Sequence, residues 1–281
     1  MNGLKTTVFL VALSALLVGI GGALGGQNGA LVALVFAGVI NFVSYWWSDK
    51  IVLRMYKAQP VTEQDSPELY HVVADLAQRA AIPMPRVYII PNDTPNAFAT
   101  GRNPSNAAVA VTSGLLALLT RRELTGVLGH EFSHVLNRDI LIGSIAATIA
   151  GAISFVGTMA RWGAIFGGSS ENRGGNLIFT ILVSIVVSFA AMMIQMAISR
   201  TREFGADRGG AELTGDPEAL ASALEKLHRG AQSVPMDANP ATAHMFIINP
   251  LRGGGLQKLF STHPSTEERV ARLHEMIGKV L

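Results

Sequence analysis

Residues 121–137 read RRELTGVLGHEFSHVLN, and this stretch decides how the rest of the chain is interpreted. It is predicted to form one long helix. His130 and His134 are four positions apart and share one face of that helix, where two imidazoles can reach the same metal ion. Glu131 directly follows the first histidine and can take a proton from a water molecule at that ion. Two histidines on an ordinary amphipathic helix are the alternative, but the intervening glutamate favours a zinc site built for hydrolysis.

A catalytic zinc ion needs a third protein ligand and one open position. Position 140, where the metzincin class of peptidases has a third histidine, is Ile140. Asp139 is expected to face away from His134 on a continuing helix. Glu203 is the preferred third ligand, and Asp207, one turn later, is expected to accept the outward N–H of a ligand histidine. Without the two histidines, this pair would more readily be a solvated acidic helix face.

The composition indicates a chain that is partly in lipid. Hydrophobic residues make up 49% of its 281 residues and charged residues only 15%, against about 25% charged in soluble proteins. The absence of cysteine excludes disulfide scaffolds, cysteine-ligated metals and thiol catalysis. A net charge of +2 without a basic cluster argues against nucleic acid. No phosphate-binding fingerprint is present, so no nucleotide is expected.

Four apolar runs are each long enough to cross a bilayer, at about 18–23 residues. They are Thr6–Gly26, Ala30–Trp47, Ile140–Ala160 and Asn176–Ile198. The chain is therefore expected to be an α-helical integral membrane protein with about four transmembrane helices, arranged as two hairpins. A cleaved signal peptide is the alternative for the first run. A buried helical hairpin is the alternative for the last two.

The charges flanking the runs predict the topology. Lys50, Arg54 and Lys57 follow the second run and indicate a cytoplasmic flank. Both termini and the soluble part are then expected in the cytoplasm. The predicted division is a transmembrane hairpin (1–48), a soluble part with the metal-binding helix (49–139), a second transmembrane or membrane-embedded hairpin (140–198) and a soluble part with the third ligand (199–281).

The soluble parts predict a small sheet packed on helices. Ser66 and Pro67 are expected to open an amphipathic helix running to Ala80. The further predicted helices are Arg121–Asn137, Arg202–Thr214, Asp216–His228 and Thr266–Ile277, and the strands are Arg86–Ile90, Asn96–Gly101 and Ala107–Thr112.

Four motifs together resemble the M48 metallopeptidases over nearly the whole chain. They are NAFATG at 96–101, HEFSH at 130–134, REFGAD at 202–207 and STHP at 261–264. The resemblance implies a mainly helical α+β protease domain of the zincin type, with one Zn²⁺ per subunit held by His130, His134 and Glu203 and with Glu131 as general base. It also implies cleavage of misfolded or damaged membrane proteins at the cytoplasmic face of the bacterial inner membrane, in quality control and the stress response.

Two further elements have an ordinary and a functional interpretation. The segment Asn96, Ala97, Phe98 and Ala99 is either a plain strand or an edge that pairs with the backbone of an extended substrate. His263 either stands at the entry of a helix or donates to the oxyanion of a tetrahedral intermediate. With no ATPase motif, the expected substrates are already unfolded or flexible polypeptides.

Two other functions remain as alternatives. A non-catalytic, zinc-dependent membrane scaffold would have no use for Glu131, so the intact motif argues against it. A CAAX-type processing protease has similar motifs, but four spans are too few to enclose the chamber for an isoprenoid-linked substrate. A transporter is disfavoured because the apolar runs contain essentially no ionisable residues.

Overall fold

The computed structural model of the chain describes residues 2–148, 200–233, 245–247 and 264–279. The helices in these ranges are α1 (Asn2–Met55), α2 (Pro67–Arg79), α3 (Ser113–Leu118), α4 (Arg121–Leu136), α5 (Asp139–Thr148), α6 (Arg200–Thr214), α7 (Pro217–Ser233) and α8 (Thr266–His274). The strands are β1 (Gln59–Pro60), β2 (Arg86–Ile90), β3 (Ala97–Gly101) and β4 (Ala107–Thr112).

Helix α1 is a hairpin of two limbs. It breaks beside Gly26, whose φ of +58° is open to glycine without strain. The limbs touch at Gly21 and Gly29, where a Cβ on either glycine would collide with the backbone of the other. Asn41 Nδ2 donates to Ser14 Oγ across the hairpin at 2.8 Å. Small residues and a polar bridge of this kind can hold helices together in lipid. A helical hairpin therefore lies where the first transmembrane hairpin is predicted, with its turn slightly earlier.

The second limb is the part of α1 suited to a membrane. Residues Gly25–Met55 form a helix long and apolar enough to cross a bilayer, the one such helix among the described residues. Its large side chains, including Val32, Val35 and Phe42, are exposed. The apolar stretch Leu10–Gly22 in the first limb is shorter. The prediction of four spans is thus not confirmed.

The third apolar run begins inside the protein. Helix α5 covers its first residues, and Ile142, Ile145 and Ala146 are buried. The burial of these side chains fits the alternative of a buried helical hairpin for the start of this run. The rest of the run and the whole fourth run, up to residue 199, lie outside the described residues.

The four strands form one sheet in the order β1–β2–β4–β3. β2 and β4 are parallel, β3 is antiparallel to β4, and β3 is an edge strand. Ala99 and Val109 pack on the side of α2 and α4, whereas Phe98 and Ala110 pack on the side of α1. Because both faces are covered, β3 and β4 are buried along their whole length.

Glycines let the other helices approach α4 closely. A Cβ on Gly126 would lie 2.7 Å from the backbone nitrogen of Leu220 in α7. A Cβ on Gly210 of α6 would lie 2.6 Å from the backbone nitrogen of His130. Helix α4 is therefore the centre of the domain, and α6 passes directly beside the first histidine.

The predicted helices and strands are confirmed with small shifts of their ends. Helix α7 continues to Ser233, beyond the predicted end, and β1 was not predicted. Ser66 precedes α2 but makes no capping hydrogen bond with its side chain. Helix α4 instead has a reciprocal capping box between Thr120 and Glu123.

Candidate metal centre and active site

The structure brings together the three residues predicted to hold zinc. His134 Nε2 lies 3.5 Å from Glu203 Oε1, and His130 Nε2 lies 3.8 Å from Glu203 Oε2. One ligand atom from each residue falls within 4.8 Å of the others. Zinc bonds of about 2.0–2.1 Å in a tetrahedron place ligand atoms roughly 3.4 Å apart. The spacing and the donor types therefore fit a zinc ion, with one coordination position left open.

The outward nitrogen of His130 has the predicted partner. Its Nδ1 lies 2.9 Å from Asp207 Oδ1. Arg269 from α8 makes two hydrogen bonds to the same carboxylate, at 2.6 and 2.8 Å, and donates to the carbonyl of Ile247 at 2.9 Å. Burial alone would raise the pKa of Asp207, but Arg269 and His130 hold it at about 2. The buried carboxylate is thus ionised and can orient the imidazole.

Arg269 was missed by sequence reasoning. It lies in a short amphipathic helix rich in charge, where an arginine is normally solvated, and only the tertiary packing shows that it is buried.

Burial lowers the pKa of His130. A neutral imidazole is the form that binds a metal.

The expectation that Asp139 faces away from His134 is wrong. Helix α4 ends at Leu136, and Arg138 adopts a positive φ of 58°. The chain therefore turns before α5 starts, and Asp139 Oδ2 comes to 3.2 Å from His134 Nδ1. Burial would lower the pKa of His134, but the bond to Asp139 and the charge of Glu203 raise it to about 9. Metal binding at neutral pH must then displace a proton from this ring.

Glu131 is buried beside the cluster and is only 3% exposed. Burial raises its pKa to about 8, with a contribution from the charge of Glu203, while His134 and a backbone hydrogen bond with Ala99 act in the opposite direction. Its position next to the ligand cluster is one from which a carboxyl group can exchange a proton with a water molecule at the metal.

Strand β3 lies where the substrate edge was predicted, but two of its outward backbone groups already have hydrogen-bond partners. Ala97 O accepts from Ile247 N at 3.3 Å. Gly101 N donates to Ser144 Oγ of α5 at 3.4 Å. Phe246 packs edge-on against Phe98 with ring centroids 5.5 Å apart. The residues of the predicted segment, from Asn96 to Ala99, are all buried, and His263 lies outside the described residues.

The sheet is connected by side-chain contacts to the C-terminal end of the α1 hairpin. The guanidinium of Arg102, in the β3–β4 turn, lies 4.3 Å above the ring of Trp46. Arg86 at the start of β2 pairs with Asp49. Trp46 belongs to an exposed aromatic group with Tyr45, of the kind found at bilayer interfaces. The turn beside β3 is thus at the level of that aromatic group.

Comparison with known proteins agrees with this site. The model of Peptidase family M48 matches residues 63–277. A "Protease HtpX homolog" of Desulforapulum autotrophicum is 60% identical over 275 residues, covering 97% of this chain and 89% of the relative. Another, from Burkholderia multivorans, is 57% identical over 279 residues, covering 98% and 97%.

A solved structure also resembles the chain. The crystal structure of S. mikatae Ste24p matches with a TM-score of 0.53 and 19% identity, covering 97% of this chain. This chain spans 63% of that protein's length, and the likeness shows a common fold. The chain belongs to peptidase family M48, a family of zinc metallopeptidases, and it is a metalloendopeptidase of that family.

Proposed function

We propose that the chain is a membrane-bound, zinc-dependent endopeptidase that cleaves misfolded or damaged membrane proteins and unfolded polypeptides. The observation that carries the proposal is the convergence of His130 Nε2, His134 Nε2 and the Glu203 carboxylate on one point. Glu131, in the same turn of α4, supplies the base that a scaffold protein would not need.

The proposed roles follow from the positions of the side chains. His130, His134 and Glu203 would hold one zinc ion, and when bound this ion would supply the Lewis acidity that polarises a carbonyl and lowers the pKa of a water molecule. Glu131 accepts the proton of the attacking water and returns it to the leaving amine. Asp207 keeps the outward nitrogen of His130 protonated. His263 is proposed as a donor to the oxyanion on the basis of the family resemblance alone.

The substrate is proposed to bind as an added strand along β3. Pairing of this kind uses backbone groups and tolerates many sequences, which suits an enzyme that removes damaged proteins. Because Ala97 O is bonded to Ile247 N, a substrate must displace Ile247 to pair at that position. The segment Asn96–Ala99 then provides the backbone of the cleft wall.

The proposed location is the cytoplasmic face of a bacterial inner membrane, with both termini in the cytoplasm. Support comes from Lys50, Arg54 and Lys57 after the second apolar run and from the contact of Arg102 with Trp46. The role in quality control and stress response, and the division at residues 48, 139 and 198, rest on the resemblance and on the apolar runs.

The proposal is tested with the full chain purified in detergent, stripped with a chelator and then supplied with zinc. The substrate is an unfolded soluble protein, and the matched variant is Glu131→Gln. We expect zinc-dependent cleavage by the wild type, and a loss of at least about a hundredfold in the variant. Zinc content should be equal in both, since Glu131 is not a ligand.

Two outcomes would contradict the proposal. Retained cleavage by Glu131→Gln would remove this residue from the assigned role. A folded wild type that holds one zinc ion per chain and cleaves nothing would favour a zinc-dependent scaffold instead.

A further inference from the structure

We propose that Asp139 is a positioning residue that orients His134 for metal binding. The inference rests on the proposed function, because it concerns the same metal centre. It is carried by the 3.2 Å contact between Asp139 Oδ2 and His134 Nδ1. That nitrogen is on the opposite side of the ring from Nε2, which faces Glu203.

The contact depends on a turn at the end of α4. On an uninterrupted helix, positions 134 and 139 would be about 140° apart and could not meet. Arg138 has a φ of +58°, a conformation that non-glycine residues seldom adopt. This backbone conformation allows Asp139 to begin α5 while its carboxylate contacts Nδ1 of His134. The unusual backbone therefore serves to bring a carboxylate to a specific nitrogen.

A carboxylate at Nδ1 controls which nitrogen is available for a metal. It accepts a hydrogen bond from Nδ1–H, so that the lone pair remains on Nε2. The same bond fixes the orientation of the imidazole ring. His130 has the same arrangement through Asp207, whose Oδ1 lies 2.9 Å from Nδ1. The two ligand histidines thus each have an aspartate behind them, one from α6 and one from the start of α5.

The aspartate is also linked to the helix that carries the third ligand. Arg202 Nη1 lies 4.0 Å from Asp139 Oδ1, and Arg202 directly precedes Glu203 in α6. Asp139 therefore stands between the end of α4 and the start of α6. This charge contact places Asp139 between the ring of His134 and the helix that carries Glu203.

Asparagine is the substitution that separates positioning from structure. Asp139 is the first residue of α5, where a negative charge also favours the start of the helix. Asp139→Asn keeps the size and shape of the side chain but removes the negative charge behind His134. A purely structural residue would then be replaced with little consequence for zinc.

The test measures the zinc Kd of the full chain in detergent by competition with a chelator. We expect Asp139→Asn to weaken zinc binding about 10–100-fold. The circular dichroism spectrum of the zinc-free variant should match that of the zinc-free wild type, which shows that the variant is folded. The visible spectrum of the cobalt-loaded variant should also shift, because the geometry at His134 changes. Asp75→Asn, at an exposed surface position, is the control and should leave the zinc Kd unchanged.

The outcomes distinguish a failure of the proposed function from a failure of the role assigned to Asp139. A wild type that binds no zinc would overturn the proposed function and this inference with it. Normal zinc binding by the wild type together with an unchanged Kd in Asp139→Asn would overturn the inference alone. If Asp139→Asn does not fold, Asp139→Glu keeps a charged acceptor and should lose less than tenfold in affinity. A larger loss there would contradict orientation by the carboxylate.

Discussion

The two histidines of the metal centre are supported in different ways. We call His130, Asp207 and Arg269 the inner half of the site, and His134, Asp139 and Arg202 the outer half. Side chains of the inner half are 1–5% exposed, and those of the outer half are 9–17% exposed. Arginine–aspartate contacts are as short as 2.6 Å in the inner half and 4.0 Å in the outer half.

The difference indicates that the inner half mainly stabilises the fold, whereas the outer half mainly affects metal binding. The inner half joins α4, α6 and α8 through a buried ion pair, and removing one member leaves the other charge without compensation. The outer half depends on a single turn next to the start of the third apolar run. We therefore expect changes in the inner half to affect folding, and changes in the outer half to affect mainly the metal.

The largest effect is expected from Arg269→Gln. Loss of the guanidinium leaves the buried Asp207 carboxylate unpaired and should lower the free energy of unfolding by about 3–5 kcal/mol. Arg208→Gln is the control, since Arg208 on α6 is exposed and pairs with Glu212 one turn away. It should cost no more than about 1 kcal/mol. Equal losses in denaturant titrations of the two variants would contradict the importance of the inner half.

A second pair of variants tests the close packing of α6 on α4. A Cβ on Gly210 would meet backbone atoms of Gly129 and His130 within 2.8 Å, and backbone cannot easily move aside. Gly210→Ala should cost about 3 kcal/mol and reduce zinc content. On the same helix, Gly205 has open space around it, so Gly205→Ala should stabilise the chain by up to about 1 kcal/mol. If both variants keep wild-type stability and zinc content, the helices are not held this closely.

The smallest effect concerns the start of α4, far from both halves. Burial would raise the pKa of Glu123, but hydrogen bonds from Lys226, Ser222 and Thr120 lower it to about 2 from an ordinary value of 4.5. A lowered folded-state pKa contributes stability that is complete above about pH 4.5 and is lost as the pH falls towards 2. Glu123→Gln should cost about 2 kcal/mol at neutral pH and flatten this acid dependence.

Glu225→Gln is the control for that measurement. Glu225 lies on α7 and makes an exposed pair with Arg229 at 3.9 Å, so its loss should change the unfolding free energy by less than about 0.5 kcal/mol. An identical pH dependence for the two variants and the wild type would show that Glu123 does not anchor α4.

The features that were predicted correctly from the sequence depend on the spacing of residues within one helix or strand. His130 and His134 follow from the helical repeat, and β2 and β4 were placed from their β-branched runs between turn residues. Glu203 was reached by comparing where two apolar runs end, and Asp207 followed from it at one turn. These arguments need only the regular geometry of helices.

What the sequence did not predict depends on tertiary structure. Asp139 was expected to face away from His134 because a regular helix was assumed past Leu136. The residues around Arg138 do not indicate its left-handed backbone conformation. The burial of Arg269 appears only when α8 packs on α6. The engagement of β3 by Ile247 joins segments more than a hundred residues apart, which no local pattern shows.

The most direct test of the account is X-ray absorption at the zinc edge on the purified chain, together with metal analysis. The account predicts one zinc ion per chain, nitrogen and oxygen ligands at about 2.0–2.1 Å and the scattering pattern of two imidazoles. Glu203→Ala should lose most of the zinc. A full complement of zinc in the double variant His130→Ala, His134→Ala, or a wild-type spectrum without imidazole ligands, would contradict the central claim.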